Sequence, residues 1–193
     1  MEIVIIDYGA GNIQSIKFAI QRLGFEAVLS SDANEIQKAD KVIFPGVGEA
    51  SSAMKKLNES GLEPIIKSLT QPVLGICLGM QLMCNSSEEG DTKGLGIFDV
   101  DVVKFSGGLK VPQIGWNEIV DLRSGLFASI SEKSYIYLVH SFYAPLSENT
   151  IAVSEYGLKY SAALQKDNFY GTQFHPEKSS EVGSKILQNF LKL

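Results

Sequence analysis

The 193 residues include only two cysteines, Cys77 and Cys84, and these lack the spacing of a zinc ribbon or a redox pair. Two thiols do not make the disulfide framework of a small secreted domain. No apolar run is long enough to span a bilayer as a helix, which argues against an integral membrane protein. No block of Lys or Arg is present. The 17 basic and 22 acidic residues leave a net charge of −5, without the electrostatic footprint of a phosphate-backbone binder. No internal repeat or low-complexity tract suggests a solenoid or a disordered arm. Met1 and Glu2 lead straight into apolar residues, without the basic stretch and small-residue cleavage site of a secretory signal. A cytoplasmic protein with reduced thiols is expected, with neither nucleic acid nor membrane as partner.

What is present is globular. With 45% hydrophobic and 20% charged residues, the chain can bury one core, and residues 1–193 are expected to form a single domain. Residues 2–7 read as a buried strand. Ile13, Ile16, Ala19, Ile20 and Leu23 then recur at helical spacing, and Gly24 falls where a helix C-terminal cap is expected. Strands over residues 27–29, 41–44 and 72–76, with helices over 50–58 and 78–85, continue the alternation of a parallel sheet covered by helices. Beyond Gly90 strand-like stretches dominate, at residues 95–105, 116–121, 135–143, 151–156, 161–165 and 170–174, and antiparallel pairs are expected among them. A helix from about Ser180 places Val182, Ile186, Leu187, Phe190 and Leu191 on one face. The expected fold is α/β: a three-layer sandwich with a mainly parallel central sheet and additional antiparallel strands.

The sharpest local signal is Gly75, Ile76, Cys77, Leu78, Gly79, between an apolar strand and a predicted helix. It is the nucleophile-elbow pattern with cysteine in place of serine. A strand turning directly into a helix strains the nucleophile's backbone, and glycines two residues to either side let the chain double back. The sulfur then lies at a helix N-terminus, where free N–H groups favour thiolate over thiol. A lone cysteine is more often a small buried hydrophobe. The flanking glycines reverse that preference for Cys77, whereas Cys84 keeps it, as a core thiol in the same helix.

A thiol nucleophile needs a base, and His140 and His175 are the histidines available. His175 precedes Pro176 and Glu177. An extended backbone before proline would point residues 175 and 177 to one side, so that Glu177 orients and charge-stabilises the imidazole. His140, in an aromatic-rich strand, reads as structural or as part of a pocket rim. For the oxyanion, the N–H of Leu78 is the first donor expected. The second is expected from residues 45–48 (Pro, Gly, Val, Gly), where Val47 and Gly48 join through a peptide that glycine leaves free to turn. The Gly9, Ala10, Gly11 loop resembles the opening of a dinucleotide fingerprint, but Gln14 stands at the third glycine position. No cofactor and no metal is expected.

These residues resemble the class I glutamine amidotransferases, which carry a cysteine elbow and a late His, Pro, Glu. Residues 72–81 and 173–177 match both features closely. Within that family the segments IDYGAGNI (6–13), PGVG (45–48), GICLGMQL (75–82), GWN (115–117), VHS (139–141) and QFHPEKSS (173–180) are most similar to the glutaminase subunits of imidazole glycerol phosphate synthases. The resemblance implies a flavodoxin-like fold, with Cys77 as nucleophile, His175 as base and Glu177 as its orienting acid. It also implies glutamine contacts from Gly48, Gln81, Glu89, Ser141 and Phe142. A heterodimer with a β/α-barrel cyclase that receives the ammonia is implied as well. Two departures are visible: Gln113, where relatives often have His, and Phe142, where Tyr is common. The first is expected to affect the surface near Trp116, the second to leave the backbone N–H in place. The alternatives are the glutaminase subunit of another synthase (pyridoxal phosphate, purine or anthranilate), a flavodoxin-like cysteine peptidase, and a non-catalytic homologue.

Overall fold

A computed structural model describes residues 1–9 and 11–193; Ala10, in the glycine loop of the fingerprint-like segment, lies outside the described residues. Helices α1 (Ile13–Arg22), α2 (Ala33–Lys38), α3 (Ala50–Glu59), α4 (Glu63–Ser68), α5 (Leu78–Leu82) and α6 (Ser180–Lys192) surround a central sheet. Its first four strands are β1 (Ile3–Ile6), β2 (Ala27–Ser30), β3 (Lys41–Phe44) and β4 (Val73–Ile76). The strands between it and the C-terminal segment are β5 (Cys84–Ser87), β6 (Thr92–Lys93), β7 (Phe98–Lys104), β8 (Gln113–Ile119), β9 (Ser134–His140) and β10 (Phe142–Tyr143). The last three are β11 (Thr150–Glu155), β12 (Lys159–Lys166) and β13 (Phe169–Thr172). The central sheet runs β11-β12-β13-β4-β3-β1-β2. Strands β2, β1, β3, β4 and β13 are mutually parallel, and β12 and β11 extend the sheet antiparallel.

Strand β1 shows why the sheet is covered on both sides. All four of its residues are buried and apolar, as a strand between two helical layers requires. Ile3 and Ile5 join Ile16 and Ile20 of α1 and Leu187 and Phe190 of α6, while Val4 and Ile6 join Ile36 of α2, Leu57 of α3 and Ile66 of α4. Each such fully buried aliphatic side chain contributes roughly 1.5–3 kcal/mol. The layers are those of an α/β sandwich. Among the described residues no helix is long and apolar enough to cross a membrane.

This topology also gathers the site. The loops that follow β1, β3, β4 and β13 leave the carboxyl edges of adjacent parallel strands, where clefts open in such sheets. A second sheet, β10-β7-β5-β6, and the antiparallel ribbon β8-β9 stand beside that edge.

Several expectations are corrected. The helix expected over residues 78–85 stops at Leu82, and Cys84 begins strand β5. Parallel pairing of Cys84 with Phe98 and of Ser87 with Val102 overrides the local helical composition. Cys84 is thus a buried strand residue, its Sγ 3.6 Å from the Met80 carbonyl, and burial pushes its thiol pKa up. Helix α2 was not anticipated, although Asp32 caps it by accepting from the N–H groups of Asn34 and Glu35 at 2.8 and 3.0 Å. The short α4, β5 and β6 were also missed. Gln113 opens β8 and is buried, its Oε1 accepting from Tyr160 at 3.1 Å, so it is a core residue and not a surface one.

Candidate active site

Strand β4 delivers Cys77 and helix α5 begins on the next residue, leaving Cys77 at φ 53°, ψ −110°. A positive φ is costly for a side-chain-bearing residue and marks a strained elbow. The neighbouring glycines are explained by close approach of backbone to backbone. A Cβ on Gly79 would overlap the Phe44 carbonyl oxygen, one on Gly46 would come 2.6 Å from the Gly79 nitrogen, and one on Gly75 would come 2.9 Å from the Met80 nitrogen. The end of β3 and the first turn of α5 are therefore packed directly together. Two bonds fix the turn: Cys77 N–H to the Thr172 carbonyl at 2.7 Å and Gln81 N–H to the Cys77 carbonyl at 3.1 Å.

His175 follows β13 and is 3% exposed, with its Nδ1 2.8 Å from Oε1 of Glu177. The backbone basis differs from the expected extended run: Glu177 lies in a 3-10 turn over Pro176–Lys178 that folds it back onto the imidazole. Ser179 holds this turn in place. Its Oγ donates to the His175 carbonyl at 2.7 Å and accepts from Tyr137 N–H of β9 at 2.9 Å, and His175 N–H donates to the Tyr137 carbonyl at 3.0 Å. A Cβ on Gly183 would overlap the Pro176 carbonyl oxygen, so α6 also closes directly on the turn.

Burial is the largest influence on His175 and by itself would lower its pKa, but Cys77 and Glu177 together outweigh it and raise it to about 10. Nε2 has no aligned hydrogen-bond partner among the described residues. Cys77 nevertheless heads the groups that raise the imidazole, so sulfur and ring lie close enough to interact.

A cavity of about 280 Å³ opens over the sulfur, bringing together Cys77, His175, Val47, Gly48, Leu78 and Gln81. Glu89, Ser141 and Phe142 line it as well, while Glu177 stands behind His175. Glu89 Oε2 accepts from Ala50 N–H at 2.9 Å, tying the cavity to the start of α3, and burial leads the influences that raise its pKa. Sequence reasoning gave no role to Pro112, Val139 or Gln173. Pro112 and Val139 line the cavity, and the Val139 carbonyl lies 3.9 Å from Cys77 Sγ. Gln173 approaches the same sulfur from below the cavity floor, with its Nε2 at 3.8 Å. Only the segment QFHPEKSS, in which Gln173 immediately precedes the Phe174–His175 pair, could have pointed to it.

His140 also lines the cavity, and burial is the main cause lowering its pKa to about 4. Its Nδ1–H donates to the Phe142 carbonyl at 2.8 Å, which fixes the tautomer. Unfolded histidine titrates near 6.5, so between pH 6.5 and 4 the unfolded chain binds a proton that the folded one refuses. The stability contributed by neutral His140 is thus complete above about pH 6.5 and is lost as pH falls through about 4. Denaturant titrations across that range should show His140→Phe losing less stability than the unsubstituted chain, by up to about 3 kcal/mol.

The chain belongs to the class-I glutamine amidotransferases, whose family model matches residues 4–193. It is 56% identical over 196 residues to the imidazole glycerol phosphate synthase subunit HisH of Bacteroides fragilis, covering 100% of both chains. It is 53% identical, again over 100% of both, to the subunit of the same name from Bacteroides thetaiotaomicron. In fold it is similar to the crystal structure of a glutamine amidotransferase, with TM-score 0.76, 18% identity and coverage of 98% of this chain and 97% of that one. The chain is a glutamine amidotransferase with a mainly parallel α/β core.

Proposed function

We propose that the chain is the glutaminase subunit of an imidazole glycerol phosphate synthase, a single cytoplasmic amidotransferase domain over residues 1–193 that hydrolyses glutamine and passes ammonia to a β/α-barrel cyclase. The observation that carries the chemistry is a strained Cys77 sharing one small cavity with His175, itself 2.8 Å from Glu177. In this reading the Cys77 thiolate attacks the side-chain amide carbon of glutamine, and the oxyanion is held by the N–H groups of Leu78 and Gly48. Leu78 opens α5, so its N–H has no intrahelical partner. Protonated His175 gives its proton to the departing nitrogen, the C–N bond breaks, and ammonia leaves a thioester on Cys77. His175 then takes a proton from water, which attacks the thioester and releases glutamate. Glu177 keeps the imidazole oriented throughout. Gln81, Glu89, Ser141 and Phe142 surround the rest of the substrate.

The partner reading is supported by an exposed apolar face beside the cavity. On the outer side of the β8-β9 ribbon, Ile114 is 62%, Trp116 52% and Tyr135 54% exposed. Ile114 pairs across the ribbon with Val139, which reaches the cavity wall. Exposed apolar and aromatic side chains beside an active site are the kind of surface that partners cover. The test is to mix the chain with purified cyclase and follow co-elution and ammonia release. Trp116→Ala is expected to weaken the complex by roughly 30-fold or more, as central interface tryptophans do. Failure of the unsubstituted chain to bind the cyclase, together with tight binding to a different synthase, would reassign the pathway and leave the hydrolytic site as it is.

A further inference from the structure

A chain of hydrogen bonds runs under the cavity from the Phe142 carbonyl to the sulfur of Cys77. The Phe142 oxygen lies 3.0 Å from Gln81 Nε2 and 2.8 Å from His140 Nδ1. The same Gln81 Nε2 lies 2.9 Å from Gln173 Oε1, and Gln173 Nε2 lies 3.8 Å from Cys77 Sγ. The amide orientations follow from chemistry alone. A carbonyl oxygen only accepts, so Gln81 must turn its NH₂ group to Phe142. That NH₂ also faces Gln173, which must therefore present its oxygen there and its own NH₂ to the sulfur. Turning Gln173 over would set N–H against N–H; turning Gln81 over would set oxygen against oxygen. Gln173 is fully buried, so water cannot repair either error.

We propose that Gln173 is a positioning residue for the nucleophile, presenting an oriented N–H to Cys77 Sγ that favours the thiolate over the thiol. The inference rests on the reading of Cys77 as nucleophile. Two groups compete for the sulfur. The Val139 carbonyl at 3.9 Å can accept from a thiol and repels a thiolate, whereas the Gln173 N–H does the reverse. The titratable groups that act on this spot are His175, with Glu177 behind it, and Tyr8, whose hydroxyl is influenced by Cys77. His175 in turn acts on His140, and Glu89 shares the cavity. Because both hydrogens of the Gln81 NH₂ are committed to Phe142 and Gln173, its Oε1 is the atom left for substrate. Glutamine bound there would stand one residue away from the group that holds the sulfur.

The test is the alkylation rate of the full chain by iodoacetamide as a function of pH, for Gln173→Glu and Gln173→Met. Cys84 is 0% exposed and does not line the cavity that opens over Cys77, so it does not compete for the reagent. Gln173→Met removes the donor at the sulfur without placing a charge in a fully buried site, whereas Gln173→Glu keeps an acceptor for Gln81 but buries a carboxyl group, so its thermal unfolding midpoint should fall. The pH of half-maximal alkylation is expected to rise by about one unit in Gln173→Met and further in Gln173→Glu, following the strength of a hydrogen bond to a charged group. With the cyclase bound, kcat for glutamine near neutral pH should fall about tenfold, with KM changed little. A folded Gln173→Met protein with the unsubstituted alkylation profile would overturn the proposal. Should both variants fail to fold, Gln81→Met releases the Gln173 amide, and its profile decides in the same way: a rise supports the proposal and no change overturns it. Retention of glutamine hydrolysis by Cys77→Ala would instead refute the nucleophile assignment itself.

Discussion

Cys77→Ala is expected to abolish glutamine hydrolysis, a loss on the order of 10⁴- to 10⁶-fold, while the chain remains folded and still binds its partner. The fold should tolerate the change because a small side chain at position 77 keeps the elbow and the bond from its N–H to Thr172. Supplying ammonium salts to the complex carrying this variant should restore turnover of the cyclase's nucleotide substrate, since only the source of ammonia is missing. His175→Ala should be nearly as inactive as Cys77→Ala, and Glu177→Gln less impaired, because an imidazole without its acid is misoriented but present. Cys84→Ala should keep its activity, since that thiol is enclosed in β5 and does not line the cavity. Measured as ammonia release from glutamine, wild-type rates in His175→Ala with loss in His140→Ala would exchange the two histidines' roles.

The elbow could be read in the sequence because its cause is local: an apolar strand, a cysteine and two glycines within five residues. The same holds for strands whose four consecutive residues are all buried, such as β1 and β3. Helix α2 was also within reach, since Asp32 precedes Glu35 by three residues in the pattern of a capped helix start. What was not legible depends on partners distant in the chain. Cys84 to Ser87 leave the helix because β7 offers a parallel edge, and nothing within residues 78–87 announces that edge. Gln113 reads as a surface variation until Tyr160, 47 residues on, is found at its amide. Gln173 reaches Cys77 because β13 lies parallel to β4 with Thr172 beside Ile76, a register that periodicity does not encode. The contact between His175 and Glu177 was expected for a reason the structure replaces, since a 3-10 turn rather than an extended run brings them together.

The isolated chain is expected to hydrolyse glutamine slowly, and binding of cyclase with its nucleotide should raise the rate by roughly 100- to 1,000-fold, the effect of one oxyanion donor. The loop after β3 has the mechanical arrangement for such a switch. Its start is fixed, because the Tyr8 hydroxyl donates to the Pro45 carbonyl at 2.9 Å and Gly46 lies against the backbone of Gly79. Its end is fixed where Ala50 N–H meets Glu89. Between these anchors Val47 and Gly48 are exposed, and Gly48, at φ +99°, has open space around it. Rotation of the Val47–Gly48 peptide would exchange a carbonyl for an N–H facing the cavity without disturbing either anchor. For the partner to drive it, the nucleotide-bound complex must favour the N–H-inward orientation, because a ligand shifts only an equilibrium whose two states it binds differently. Gly48→Ala probes this selectively. An added methyl meets no neighbour, so folding should be preserved, but a side chain at φ +99° penalises one peptide orientation by about 1–2 kcal/mol. That bias should change the ratio of stimulated to basal ammonia release by about 5- to 30-fold, with the thermal midpoint lowered by roughly 2–8 °C. A ratio equal to that of the unsubstituted chain would place the control elsewhere than in this peptide.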